Sequence, residues 1–272
     1  MLSTVKRSLR KALPPSFYRS YRRAVERLTR RSRPLIRGFD EHPSTVLKCC
    51  VAYNTYGTYC VPLSSMIRAA AQTVLAGKVW EPETIKVITA NCAGGDIVHA
   101  GTYFGDFLPA LSRAVDDGRR VWAFEPNPEN YRCADITIRI NGLRNVELRN
   151  AGLADETRQF QMATKDQHGI ALGGLSTIST QAQDARDATP VDVVSIDEAV
   201  PSDRNISVLQ LDVEGFELRA LRGAIGTIRR CRPLLVIEMF PSDPWIAENI
   251  LGMGYVLSGK VYSNSILSPP RR

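Results

Sequence analysis

From residue 95 onward, short apolar and β-branched runs alternate with stretches of helical periodicity. The runs are IVHAG (97–101), RVWAFE (120–125), NVELRN (145–150), VDVVSID (191–197), SVLQLDV (207–213), PLLVIEM (233–239) and GYVLSGKVYS (254–263). Helical stretches fall at 104–115, 128–140, 216–230 and 243–252. Strands that alternate with helices form a mostly parallel sheet covered on both faces. The expected fold class is therefore α/β, a doubly wound, Rossmann-like sheet over residues 95–272. Residues 43–94 read as a helical lead-in. Met66, Ala69, Ala70 and Val74 are spaced 3–4 apart ahead of Gly77, and EPETIKVITANC places acids before Ile85, Val87 and Ile88.

Residues 1–42 form a separate arm with its own pattern. Leu2, Val5, Leu9 and Leu13 recur at helical spacing among bases until Pro14-Pro15, and Tyr18, Tyr21, Val25 and Leu28 repeat it. Two short basic amphipathic helices follow from this, an N-terminal helical extension of the body. Residues 1–40 hold twelve Lys and Arg against Glu26 and Asp40, a net +10, so the remaining 23 bases and 26 acids leave the body at −3. The overall charge of +7 thus describes the arm and not the body. Four uses of the arm stand side by side: an interfacial helix on anionic lipid, contact with nucleic acid or an acidic partner, a transit-type segment, or packing on its own body.

Composition narrows the class further. With 44% hydrophobic and 23% charged residues among 272, the chain has the make-up of an ordinary globular protein. No apolar run approaches the ~20 residues that span a bilayer, and MLSTVKRSLRKAL lacks a secretory apolar region. The six cysteines show no CxxC pair, which predicts free thiols in a reducing, cytoplasmic compartment. No cluster of His, Cys and carboxylates has metal-site spacing, so no metal is expected.

Candidate chemistry starts at the first strand-to-helix turn, His99-Ala100-Gly101-Thr102-Tyr103-Phe104-Gly105. A glycine at the strand end allows a tight turn and close ligand approach. Glu125 ends the next strand, 20 residues past Gly105, where a carboxylate accepts hydrogen bonds from ribose hydroxyls. GxGxxG is absent, which favours a nucleoside without a pyrophosphate over NAD.

The segments GDIVHAGTYFGDF, VWAFEPNPENY, INGLRNVELRNAGLAD, GLSTI, VDVVSIDEAV, LQLDVEGFELRALRGA and RPLLVIEMFP resemble, in order and spacing, the FkbM family of S-adenosylmethionine-dependent methyltransferases. The resemblance covers roughly residues 95–240, and LDVEGFELRALRGA is its most specific part. It implies S-adenosylmethionine as cofactor, held by His99, Gly101, Thr102, Tyr103, Gly105, Glu125, Pro126, Asn127, Gly152 and Asp212. The chain departs from the family where His99 replaces an acid, Thr102-Tyr103 replaces Ala-Asn, and Gln210 replaces a Lys. The missing acid lies near the methionine end of the cofactor. Neutral His99 accepts through one nitrogen there, and Asp96 or Asp106 substitutes only if the turn aims it correctly.

Transfer to a hydroxyl needs a base beside the acceptor. Asp212 and Glu238 end central strands; Asp212 is expected as a cofactor-side or acceptor-side carboxylate and Glu238 as a second, acceptor-orienting group. Alternation in an extended run would put Asp212 and Glu214 on one face, with Glu217 solvated in the next helix. His168 sits in a polar flap, 164–190, long enough to be an acceptor lid, and is a third candidate base. The resemblance implies an O-methyltransferase acting on a sugar, glycan or other small natural product. A non-catalytic cofactor-binding scaffold and an RNA methyltransferase anchored by the arm are the alternatives. The acidic body speaks against nucleic acid.

Overall fold

The computed structural model describes residues 46–166, 169–179 and 188–270; the basic arm and His168 lie outside them. A seven-stranded sheet forms the centre. In spatial order it runs β12 (Val256–Val261), β13 (Asn264–Ser268), β11 (Leu234–Ile237), β10 (Ile206–Leu211), β3 (Asp96–Ala100), β4 (Val121–Phe124) and β5 (Val146–Arg149). The five strands from β11 to β5 are parallel, and β13 and β12 add an antiparallel edge. This is the expected α/β sheet.

Alternation along each strand explains why both faces are covered. Val98, Ala100, Leu209, Leu211, Leu235 and Ile237 enter one core with α5 (Ile196–Ala199), α6 (Glu217–Arg222), α7 (Ile225–Cys231) and α8 (Pro244–Asn249). Their neighbours Ile97, Val208 and Val236 enter the other, with Ile85 and Ile88 of α2 (Pro82–Ala90) and Leu108 and Leu111 of α3 (Leu108–Ala114). Helix α4 (Pro128–Ile140) begins where Asn127 Oδ1 accepts from the Glu129 and Asn130 amides, with proline at its first position.

Four expectations change. The lead-in is not wholly helical. Before α1 (Ala69–Leu75) it holds an antiparallel hairpin, β1 (Cys49–Asn54) and β2 (Gly57–Pro62), turning at 55–56. Tyr59, Cys60 and Val61 are buried there, and the Cys60 amide donates to Thr137 Oγ1 of α4. The run at 191–197 belongs to a second sheet, ordered β6 (Gly152–Leu153), β9 (Ala188–Val194), β7 (Arg158–Ala163), β8 (Thr177–Ser179). In β9, Pro190 and Asp192 are exposed between buried Val191 and Val193. That one-sided pattern suits antiparallel pairing with β7 and not a strand buried on both faces. The stretch 254–263 is half of the β12–β13 hairpin, closing at Tyr262 in a left-handed conformation. The helix at 216–230 is two helices, broken at 223–224.

Among the described residues no disulfide forms, and no helix is long and apolar enough to cross a membrane.

Candidate active site

The carboxyl ends of β3, β4, β10 and β11 open into a cleft of two joined lobes. The first lobe is walled by Phe124, Pro126, Leu153, Met162, Ile178 and Phe216. The second holds His99, Tyr103, Asp106 and Glu238. Gly101, Glu125, Gly174, Asp212 and Glu214 line both. An apolar lobe continuous with a polar one suits a ligand with an aromatic end and a charged end.

The first turn is shaped by close approach. A Cβ on Gly101 would stand 2.4 Å from the Asp212 carbonyl oxygen, so only glycine lets β3 and β10 end side by side. Gly105 has φ +84 and turns the chain into α3.

Glu125 sits at the junction, 4% exposed. Its Oε2 accepts from the Tyr103 amide at 2.7 Å, and its Oε1 from the Asn127 amide at 2.9 Å. Burial pushes its carboxyl up to about 7 against these amide bonds. Its Oε1 also accepts from Asn130 Nδ2 at 3.4 Å, so of about four acceptor positions one is left for a hydroxyl from the cleft.

His99 is 2% exposed and stacks on Phe107 with ring centroids 5.4 Å apart. Its Nδ1–H donates to Gln210 Oε1 at 2.5 Å, which leaves Nε2 as a lone-pair acceptor. Nε2 is buried and has no protein partner. Burial holds the ring neutral, with its pKa lowered to about 4. Asp106, 9% exposed, lines the same lobe, and burial pushes it up to about 7. Asp96 cannot share this role. It begins β3, at the opposite end of the strand, and binds Arg204 through both oxygens at 2.7 Å.

Asp212, Glu214 and Glu238 bring carboxylate oxygens within 4.8 Å of one another. Alternation along a strand is not the cause, because β10 stops at Leu211 and Glu214 is left-handed at φ 51. The turn curls the two acids together under Glu238. Burial raises the Asp212 carboxyl well above its usual range, and the Glu238 carboxyl beside it adds to this. Glu214 is pushed up to about 7, again by burial first and Glu238 second. Glu217 is not solvated. It is 2% exposed, and its Oε1 accepts from the Val213 and Gly215 amides, holding the turn closed. The three acids form an all-oxygen donor set that linear spacing did not reveal.

Of the sequence candidates, His99, Gly101, Tyr103, Glu125, Pro126, Gly152, Asp212 and Glu238 line the cleft. Thr102, Gly105 and Asn127 do not. Thr102 donates to the His99 carbonyl, and Asn127 caps α4 while its Nδ2 donates to Ser176 Oγ, so both brace the wall from behind. Sequence reasoning missed Arg68, Trp80 and Glu81 from the lead-in, and Met162 and Ile178 from the second sheet. Nothing in their local patterns signals a site; only the tertiary fold delivers them.

The family profile described as the methyltransferase FkbM domain matches residues 99–257. No curated protein matches the chain. Among solved structures, the chain is similar to a methyltransferase FkbM from Methylobacillus flagellatus KT at 18% identity and TM-score 0.42, with 64% of this chain and 42% of that one covered. It is also similar to a SAM dependent methyltransferase from Aquifex aeolicus at 15% identity and TM-score 0.37, with 70% and 88% covered. A third likeness is to the T. thermophilus 16S rRNA N2 G1207 methyltransferase in complex with AdoMet and guanosine, at 12% identity and TM-score 0.41, with 84% and 51% covered. At these identities and scores the likenesses say nothing about individual residues. The profile spans more than half of the chain, and the chain belongs to the FkbM methyltransferase family, whose methyl donor is S-adenosylmethionine.

Proposed function

We propose that the chain transfers a methyl group from S-adenosylmethionine to a hydroxyl of a sugar, glycan or other small natural product. When bound, the cofactor supplies a methyl group on a positively charged sulfur, so the protein's work is positioning and proton removal. The residues fit this group. The apolar lobe suits an adenine, and the free acceptor position of Glu125 takes a ribose hydroxyl. The orphan His99 Nε2 and the Asp106 carboxylate accept from the ammonium, with Asp106 supplying the charge that neutral His99 lacks. The second lobe is lined by six acids against Arg68, a field that favours a sulfonium.

The observation that carries the reading is the meeting of Asp212 and Glu238 at the floor shared with Glu125. Burial and the neighbouring Glu238 carboxyl raise the Asp212 carboxyl, which strengthens it as a base. Asp212 is thereby the group that takes the acceptor's proton, with Glu238 orienting the hydroxyl. Asp212→Asn is expected to lower kcat at saturating donor by roughly 10²- to 10⁴-fold, the usual worth of a positioned base. Acceptor discovery comes first, by untargeted mass spectrometry for a +CH2 product in cells with and without the protein. Calorimetry showing no binding of the donor or of its demethylated product overturns the reading.

A further inference from the structure

Two carboxylates on the second lobe are braced by consecutive residues, Ser263 and Asn264, where the β12–β13 hairpin turns back. Ser263 Oγ donates to Glu238 Oε1 at 3.2 Å, and Asn264 Nδ2 donates to Glu81 Oε2 at 3.0 Å. Thr84 Oγ1 donates to the same Glu81 oxygen at 2.8 Å. Each carboxylate therefore keeps one oxygen. Glu238 Oε2 is buried with no partner, and Glu81 Oε1 takes no hydrogen bond from the described residues. Both side chains line the lobe. Burial raises the Glu81 carboxyl above its usual range, and the nearby Glu238 carboxyl adds to this.

Building its own helix does not account for Glu81. It stands at the N-cap of α2, where a carboxylate ordinarily accepts amide hydrogens of the first turn. Its side chain makes no such bond. Its backbone is left-handed at φ 42, a conformation that a residue with a Cβ keeps only where its surroundings impose it. Trp80, beside it in the chain, lines the same lobe. Both precede residue 99, where the family profile begins. The groups given to the donor, His99, Asp106 and Glu125, all lie inside the profile. The wall built by Trp80 and Glu81 is left for the acceptor.

We infer that Glu81 is a specificity-determining residue that binds the acceptor, and that the acceptor carries a second hydroxyl on the carbon next to the reacting one. The reacting hydroxyl lies between Asp212 and Glu238, and its neighbour donates to Glu81. Trp80 offers an apolar wall to the carbon face of a polyol ring. A phosphate or carboxylate in place of the second hydroxyl would meet like charge. The inference rests on the methyl-transfer reading above and narrows its acceptor to a vicinal diol.

The test uses the full chain, S-adenosylmethionine labelled in its methyl group, and an extract of cells lacking the protein. Half of the extract is first treated with sodium periodate, which cleaves vicinal diols, and then quenched. Label should enter the untreated extract and fall at least tenfold in the treated one. The product should carry a hydroxyl on the carbon next to the new methoxyl, as read by fragmentation in mass spectrometry. Glu81→Gln keeps the side chain's size and an oxygen for Asn264, so its melting temperature should match wild type. Its incorporation at limiting extract should fall at least tenfold and recover as extract is added, which is a KM effect. Incorporation that survives periodate, a methoxyl with no adjoining hydroxyl, or a Glu81→Gln variant as active as wild type at limiting extract overturns the inference. Absence of label from the untreated extract, together with no donor binding in calorimetry, brings down the methyl-transfer reading itself.

Discussion

At the scale of single residues, the Glu125 carboxylate accepts the Tyr103 and Asn127 amide hydrogens and still borders both lobes. It is at once a brace for the first turn and a cleft group. Glu125→Ala is expected to weaken donor binding by roughly 1–3 kcal/mol, the worth of a lost charged hydrogen bond. It should weaken methylthioadenosine as much, because that nucleoside keeps the ribose. Asp106→Asn should behave differently. It should reduce affinity for the donor and its demethylated product at least tenfold and leave methylthioadenosine, which has no ammonium, unchanged. Titration calorimetry with the three ligands separates the two roles, and an equal loss for all three in Asp106→Asn rejects the ammonium assignment.

Elements show which parts of this protein can be read locally. Strands β3, β4, β10 and β11 are apolar on both faces and short, with a strand end that carries the chemistry, so runs such as IVHAG and VWAFE announce themselves. Helix α4 was legible to the residue, because Asn127-Pro128 cap and start it and Asn141-Gly142 stop it. The hairpin β1–β2 was not. Its sequence lacks an Asn-Gly turn, and it is held by partners such as Asn141 Oδ1, which accepts from the Thr58 amide 83 residues away. The site divides in the same way. Glu125, Asp212 and Glu238 stand at strand ends and follow from the pattern, whereas Glu214 joins them through a left-handed turn that alternation cannot express. The β3–β10 contact at Gly101 gives a test at this scale. Gly101→Ala places a Cβ against the Asp212 carbonyl and should cost about 1–3 kcal/mol of stability, as overpacking does, with a larger loss of donor binding than of fold. Urea denaturation alongside calorimetry checks both; unchanged stability and binding mean that the strands separate freely.

Across the whole molecule, the cleft gathers carboxyls that the unfolded chain would leave at ordinary values. Asp106, Glu125 and Glu214 stand near 7 in the fold, against 3.8 or 4.5 when free. Between these limits the folded state binds more protons than the unfolded one, so stability falls as pH rises through the window. The ligand-free protein is expected to lose melting temperature from about pH 5 to about pH 8, and bound donor should offset much of that loss. A melting temperature that climbs over this range contradicts the burial of these groups.

The imbalance of six acids against one arginine around the second lobe also bears on turnover. Once the methyl group has left, the sulfur is a neutral thioether and no longer answers the field of those carboxylates. Spent nucleoside is thus held less tightly than fresh donor, and exchange of one for the other runs downhill without any separate ejecting device.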